Sequence, residues 1–136
     1  MSKGIKIVLL IGVLVAISGY LIYDSVFPMA KAVDLPNVED IEMIQIESDD
    51  ITIDITTEKE MKEIIAMFED SKPTRIMSVN ESPAIRDYFI VHLPTEDNIM
   101  YGLYVYEDKN EWYLEQAYVG IYRLDRGIEE KLNVTK

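Results

Sequence analysis

The first apolar feature of the chain is a run of 17 residues without a charge, IVLLIGVLVAISGYLIY, at positions 7–23. A helix needs about 17–25 apolar residues to cross a bilayer, and aromatic residues such as Tyr20 and Tyr23 favour the membrane interface. Lys3 and Lys6 precede the run. Positive charge is retained on the cytoplasmic side, so the pattern predicts a membrane-inserted helix with the rest of the chain outside.

A second pattern has the period of a helix. Apolar residues at Met61, Ile64, Ile65 and Phe68 follow the i, i+3, i+4, i+7 spacing of one helix face. The preceding Thr57-Glu-Lys-Glu sequence resembles a capping box, in which the threonine and the last glutamate satisfy backbone amides. We therefore predict a helix of about 14 residues that ends before Pro73 and packs its apolar stripe on a sheet.

The remaining pattern is the alternation of β-strands, separated by segments rich in Asp, Asn and Gly. The predicted strands are residues 40–47, 51–56, 88–94, 99–107, 111–118 and a short one at 121–124, followed by a helical turn at 128–132. Residues 73–87 have two prolines and no periodicity. We predict that they form a loop, and a loop of this length is more often functional than incidental.

The order β-β-α-β-β-β indicates an α+β fold, an antiparallel sheet with one amphipathic helix on one face. Residues 1–32 are predicted to be an N-terminal signal or transmembrane anchor with its linker, and residues 33–136 a single extracytoplasmic domain. An alternative is secretion, because Ala30-Lys31-Ala32 matches the small-x-small pattern before a signal cleavage point. Cleavage after Ala32 would release a chain that starts at Val33.

Several short motifs are shared with a known group of proteins. They are Val33-Asp-Leu-Pro, Thr57-Glu-Lys-Glu, Asp87-Tyr88, Leu103-Tyr-Val-Tyr and Gln116-Ala-Tyr-Val-Gly-Ile-Tyr. Together they resemble an uncharacterised family of small, membrane-anchored extracytoplasmic domains of Gram-positive bacteria, a domain of unknown function. The resemblance covers nearly all of residues 33–132. It implies location and a one-domain architecture, and it assigns no catalytic residue.

Charge and composition exclude several classes of partner and of active site. Three lysines against one aspartate give residues 1–32 a charge of +2, so the total of −12 leaves −14 for residues 33–136. Such a domain repels phosphates, which argues against a nucleic-acid partner. The chain has no cysteine, so disulfides, thiolate metal sites and thiol catalysis are excluded.

No motif indicates an enzyme. His92 is the single histidine, and neither Ser78 nor Ser82 lies in a nucleophile-elbow motif. One histidine with carboxylates supplies too few ligands for zinc or copper, and the aspartates in turns do not have EF-hand spacing. We therefore expect no catalytic residue, metal or cofactor.

The tyrosines give the candidate binding site. If Val91, Leu103, Val105 and Leu114 face the helix, strand alternation places four tyrosines together on the other side of the sheet. This tyrosine face consists of Tyr88, Tyr104, Tyr106 and Tyr113. Aromatic rings with a polar rim are typical of recognition surfaces. The alternative is that these rings are ordinary cross-strand pairs, or are covered by the tail around Tyr118 and Tyr122.

The sequence thus predicts a non-catalytic extracytoplasmic binding module, held at the cell membrane by residues 7–23, with a protein, peptide or cell-wall partner. The alternative function is an acidic inhibitor or immunity-type protein directed against a cationic enzyme or toxin. Export, the missing catalytic motifs and the tyrosine face favour the binding module, and the acidic charge of the domain is what an inhibitor of a cationic partner would use.

Overall fold

The computed structural model describes residues 2–133, so the last three residues of the predicted domain, 134–136, lie outside the described residues. Helix α1, Lys3–Val26, contains the whole apolar run and has no buried residue. It is long and apolar enough to cross a membrane. Its 24 residues span about 36 Å at 1.5 Å per residue, which exceeds the roughly 30 Å hydrocarbon thickness of a bilayer.

A linker and a mixed domain follow α1. After a short 3₁₀ turn at Val38–Asp40, the elements are β1 Ile44–Glu47, β2 Thr52–Ile55, α2 Glu58–Glu69, β3 Lys72–Pro73, β4 Phe89–Pro94, β5 Met100–Asp108, β6 Glu111–Gln116, β7 Gly120–Leu124 and α3 Ile128–Asn133. The seven strands form one sheet in the order β2-β1-β4-β5-β6-β7-β3. Every pairing is antiparallel. The predicted α+β class with an antiparallel sheet is confirmed.

The core lies between α2 and one face of the sheet. All four stripe residues, Met61, Ile64, Ile65 and Phe68, are buried there, as the helical period predicts. The strands contribute alternate residues: Val91 lies opposite Leu103, and Val105 opposite Leu114. The main sheet-side members of the core are Ile44, Ile46, Val91, Leu93, Leu103, Val105, Trp112, Leu114, Tyr122 and Leu124.

Two local expectations were wrong. The strand predicted from residue 40 starts at Ile44, because the apolar alternation breaks where Met43 and Ile44 are adjacent. Ile41 reaches the core through an isolated bridge to Thr95 instead. The capping box is also absent: Thr57 is the N-cap of α2, but its side chain accepts no capping hydrogen bond. The first turn of α2 is exposed, so water can satisfy its amides.

The start of the predicted 73–87 loop is also different. Lys72 and Pro73 form the edge strand β3 against Arg123 and Tyr122 of β7. Proline is tolerated at a sheet edge because its missing N–H would point to solvent. Residues 74–88 then form a loop, here called the cover loop.

The linker after α1 packs against the domain. The Ala30 amide donates to the Thr74 carbonyl at 2.9 Å. The Asp34 amide donates to Gln116 Oε1, and Gln116 Nε2 donates back to the Asp34 carbonyl, both at 2.8 Å. The linker is thus hydrogen-bonded to the residue after β3 and to the end of β6, although it forms no regular strand.

Candidate functional site

The four tyrosines of the tyrosine face lie together. Tyr106 is directly opposite Tyr113 across the β5–β6 ladder, and their rings stack with centroids 5.7 Å apart. Tyr88 meets Tyr104 edge-to-face at 5.3 Å. Offset and edge-to-face pairs of this kind stabilise a sheet surface beyond their buried area. The structure thus brings the predicted residues together, and their role in binding stays a prediction.

The face is not open over its whole area, contrary to the expectation of a free aromatic surface. Tyr106 is only 7% exposed and Glu115, beside it on β6, only 4%, while Tyr88, Tyr104 and Tyr113 are half-buried. The cover is the cover loop and not the tail: Tyr118 is exposed, and Tyr122 points into the core opposite Leu114.

Glu115 connects the loop to the sheet. Ser78 Oγ in the cover loop donates to Glu115 Oε1 at 2.7 Å, and the Tyr106 hydroxyl donates to Oε2 at 3.1 Å. The Tyr118 amide in turn donates to Ser78 Oγ at 3.3 Å. The buried carboxylate therefore fastens Ser78, in the first half of the cover loop, to the sheet.

These surroundings raise the pKa of three of the tyrosine hydroxyls, those of Tyr104, Tyr106 and Tyr113. Burial, followed by the nearby charge and hydrogen bond of Glu115, raises the pKa of Tyr106 far above its ordinary value. Burial also raises the pKa of Tyr104 and of Tyr113, in the second case together with the hydrogen bond to Glu111. Burial disfavours the charged phenolate in each case, so these hydroxyls stay protonated. Those of Tyr106 and Tyr113 donate to Glu115 and Glu111.

A cavity of about 290 Å³ remains between the cover loop and the tyrosine face. Its lining residues are Ile76, Met77, Val79, Asn80, Ala84, Ile85, Tyr106, Asp108, Tyr113, Glu115 and Ile121. Most of this lining is apolar. Its two charged members, Asp108 and Glu115, are both acidic, and among residues 2–133 no Lys, Arg or His lines the cavity.

The other residues considered for catalysis or metal binding do not come together in one site. Nε2 of His92 lies 3.4 Å from Glu47 on β1, whereas Ser78 is engaged with Glu115. Over residues 2–133, no group of three or more His, Asp or Glu side chains is arranged to hold a metal ion.

Sequence reasoning missed the contribution of the cover loop. Ile76, Met77, Val79 and Ile85 line the cavity, yet they follow neither helical nor strand period. The sequence did contain one sign of this role, the number of these residues. Four large apolar residues within ten positions are unusual for a loop that is surrounded by water. Such a segment has to cover something or present an apolar surface.

Comparison with known proteins places the domain in a family. The model of DUF5301, described as "Domain of unknown function (DUF5300)", matches residues 29–123. The chain belongs to this family. The match starts within the linker, in keeping with the contacts of Ala30 and Asp34 with the sheet.

One solved structure is similar, an NMR structure of a protein from Ruminococcus gnavus. The TM-score is 0.60 at 22% sequence identity, and the alignment covers 68% of this chain and 91% of that chain. At this identity the likeness concerns the fold. No curated protein matches the sequence.

Proposed function

We propose that the chain is a non-catalytic, membrane-anchored binding module of the DUF5301 family whose ligand is a protein or peptide segment carrying a basic side chain on an apolar stretch. The observation that supports this most directly is the cavity under the cover loop. Its walls are apolar apart from a few polar residues that include the acidic Asp108 and Glu115, and none of its lining residues in the described part of the chain is cationic.

The buried state of Glu115 favours a cationic guest. Its carboxylate has two hydroxyl donors, Ser78 and Tyr106, and takes part in none of the ion pairs found among residues 2–133. A buried charge is costly unless it is paired, so an ammonium or guanidinium group entering the cavity compensates it.

The size of the cavity limits what enters. Small-molecule sites typically measure about 300–1,000 Å³, and this cavity lies at the lower limit of that range. One side chain of a partner fits it better than a large ligand. The stacked rings of Tyr106 and Tyr113 then supply an apolar and cation-attracting wall for that side chain.

The hydrogen bonds made by the polar side chains of the cavity also favour a binding role. The hydroxyls of Ser78 and Tyr106 both point to Glu115 and hold the cover loop in place. A serine nucleophile needs a base that accepts its proton and a third group that orients the base, and His92 lies elsewhere, beside Glu47. The polar groups of the cavity thus support positioning and recognition.

The proposed location rests on α1. Its length and apolar surface favour retention as a membrane anchor, and Lys3 and Lys6 favour the orientation with the domain outside.

The test is an array of short peptides in which one lysine or arginine stands between leucine and phenylalanine residues, compared with the same peptides carrying glutamine. The full-length protein in detergent should bind the basic members selectively. Glu115→Gln should weaken that binding about tenfold or more, since a hydrogen bond to a charged group is worth about 1.5–3 kcal/mol. Glu107→Gln is the matched control, because it removes the same charge from an exposed position of β5. Equal losses in both variants, or equal binding of both arrays, would contradict the proposal.

The acidic inhibitor is the second candidate, favoured by the charge of −14 on residues 33–136. It would present the same acidic cavity to a basic residue of an enzyme. Inhibition of a basic cell-wall hydrolase that is lost in Glu115→Gln and kept in Glu107→Gln would support it over a receptor role.

A further inference from the structure

A second exposed surface lies next to the end of α1. Five apolar side chains from three segments line one open cleft there: Met29, Ile76, Met77, Tyr118 and Val119. We call them the docking patch. Each is exposed, Tyr118 by 65% and Met77 by 63%. Large apolar side chains grouped in this way on a protein surface usually mark a contact with a partner or a membrane.

Charge around the docking patch differs from that of the rest of the domain. The contributing segments, 25–33, 72–80 and 117–122, contain Lys31, Lys72 and Arg75 and no acidic residue. Residues 33–136 nevertheless carry −14. Asp24, in the last turn of α1, is acidic, but it is paired with Arg75. Lys31 and Lys72 are the basic residues that these segments add beside that pair.

The patch is also fixed relative to α1. Arg75 Nη1 donates to Asp24 Oδ1 at 2.7 Å and to the Phe27 carbonyl at 2.5 Å, and its guanidinium lies 5.1 Å from the centre of the Tyr23 ring. A cation at this position also complements the negative end of the helix dipole. The start of the cover loop is thus fastened to the last turns of α1, where the apolar run ends and Tyr20 and Tyr23 indicate the interface.

We propose that the docking patch lies in the outer interface of the bilayer that α1 crosses, with its apolar side chains at the acyl-chain boundary and Lys31 and Lys72 towards anionic headgroups. This inference rests on the proposed anchoring by α1. A lipid surface fits better than a protein partner for two reasons. It is brought to the patch by the tether itself, at high effective concentration, and the basic residues Lys31 and Lys72 match an anionic surface.

Docking of this kind gives the domain one orientation on the membrane. Ile76 and Met77 line both the patch cleft and the cavity beneath the cover loop. The cavity that we propose for ligand binding is then held close to the membrane surface, where it meets partners that are themselves membrane-bound.

The absence of cysteine makes a site-specific test direct. The full-length protein is reconstituted into vesicles of phosphatidylcholine and phosphatidylglycerol with a polarity-sensitive fluorophore on Tyr118→Cys or, as a second reporter, on Val119→Cys. Asp50→Cys is the control, because it is an exposed position in the β1–β2 turn at the opposite end of the sheet. We expect a blue shift and strong quenching by nitroxide-labelled lipid at positions 118 and 119, and neither effect at position 50.

The outcomes separate the two proposals. Co-flotation of the protein with vesicles reports anchoring by α1. Docking is overturned, and the anchor left intact, if the protein floats fully while the fluorophores at positions 118 and 119 are as exposed to water as the one at position 50. Failure to float overturns the anchor as well.

Replacing Lys31 and Lys72 by glutamate should reduce the blue shift in the anionic vesicles. An unchanged shift would overturn the role given to these two lysines. Fluorescence of the single, buried Trp112 verifies folding in every variant.

Discussion

Tyr106 contributes to the packing between sheet and cover loop with both its ring and its hydroxyl. The ring stacks on Tyr113, and the hydroxyl donates to Glu115, which also accepts from Ser78. A serine at position 106 would leave a cavity and free one oxygen of a buried carboxylate. The residue therefore belongs to the structure that positions the site, and Tyr113 is the better position for testing ligand contact.

Ionisation of Tyr106 leads to a prediction at alkaline pH. Its pKa is raised in the folded protein above the ordinary value of 10.0, so the unfolded chain loses this proton first as the pH rises. The stabilisation is complete below about pH 10 and declines above it. Tyr106→Phe should make the decline in unfolding free energy shallower by up to about 1.4 kcal/mol per pH unit. Urea titrations between pH 8 and pH 11 measure this slope, and an unchanged slope in the variant would refute the assignment.

Phe68 gives a prediction about the core. It is fully buried at the C-terminal end of the α2 stripe, and deleting a buried aromatic ring costs about 3–5 kcal/mol. Phe68→Ala should show that loss in urea unfolding followed by Trp112 fluorescence. Met67→Ala, one position along and only half-buried, is the control and should cost clearly less. A loss below about 1 kcal/mol for Phe68→Ala would mean that the stripe does not face the core.

At the scale of elements, the linker and the cover loop complete one side of the domain without regular structure. Ala30 is hydrogen-bonded to Thr74, and Asp34 to Gln116. Their close approach requires Gly120 at the start of β7. A Cβ added there would lie 2.5 Å from the Ala30 Cβ and 2.9 Å from the Tyr122 hydroxyl.

Gly120→Ala should therefore push the linker away from the sheet. We expect faster trypsin cleavage after Lys31, which is exposed but held between these contacts. Adding Ala30→Gly should restore part of the protection, because it removes the nearer of the two clashes but not the one with Tyr122. Cleavage rates of the wild type, both single variants and the double variant form a cycle that isolates this contact. A Gly120→Ala protein as resistant as the wild type would show that the linker is not packed as described.

An element could be predicted from the sequence where its apolar residues recur with the regular period of a helix or a strand. The stripe of α2 and the alternation of β4, β5 and β6 carry their own signal, and these predictions are confirmed. β3 has two residues and a proline, too short to show any alternation. The cover loop has no period at all, so its apolar residues did not indicate which surface they would cover.

At the scale of the whole molecule, the length and apolar surface of α1 predict a protein that stays with the membrane. It should resist carbonate extraction, and protease added to protoplasts should remove a C-terminal epitope tag. Arg75→Ala, which releases the domain from Asp24 and Phe27, should leave both results unchanged because α1 alone anchors the chain. A soluble species starting at Val33 in the medium would instead establish cleavage after Ala32.

The sequence by itself determined the features that depend on local periodicity: the apolar helix, the buried stripe of α2 and the side of the sheet on which the tyrosines lie. These follow from the fixed geometry of helices and strands, in which neighbouring positions decide which face a side chain occupies. Membership of a family with unknown function added no chemistry to them.

Only the tertiary structure decided what covers each face. Glu115 is joined to Ser78 across 37 positions of sequence, and Gln116 to Asp34 across 82. Contacts at such distances depend on where irregular segments run, and no local pattern encodes that path. For this reason the burial of Tyr106, the acidic cavity and the docking patch beside α1 became visible only in the folded chain.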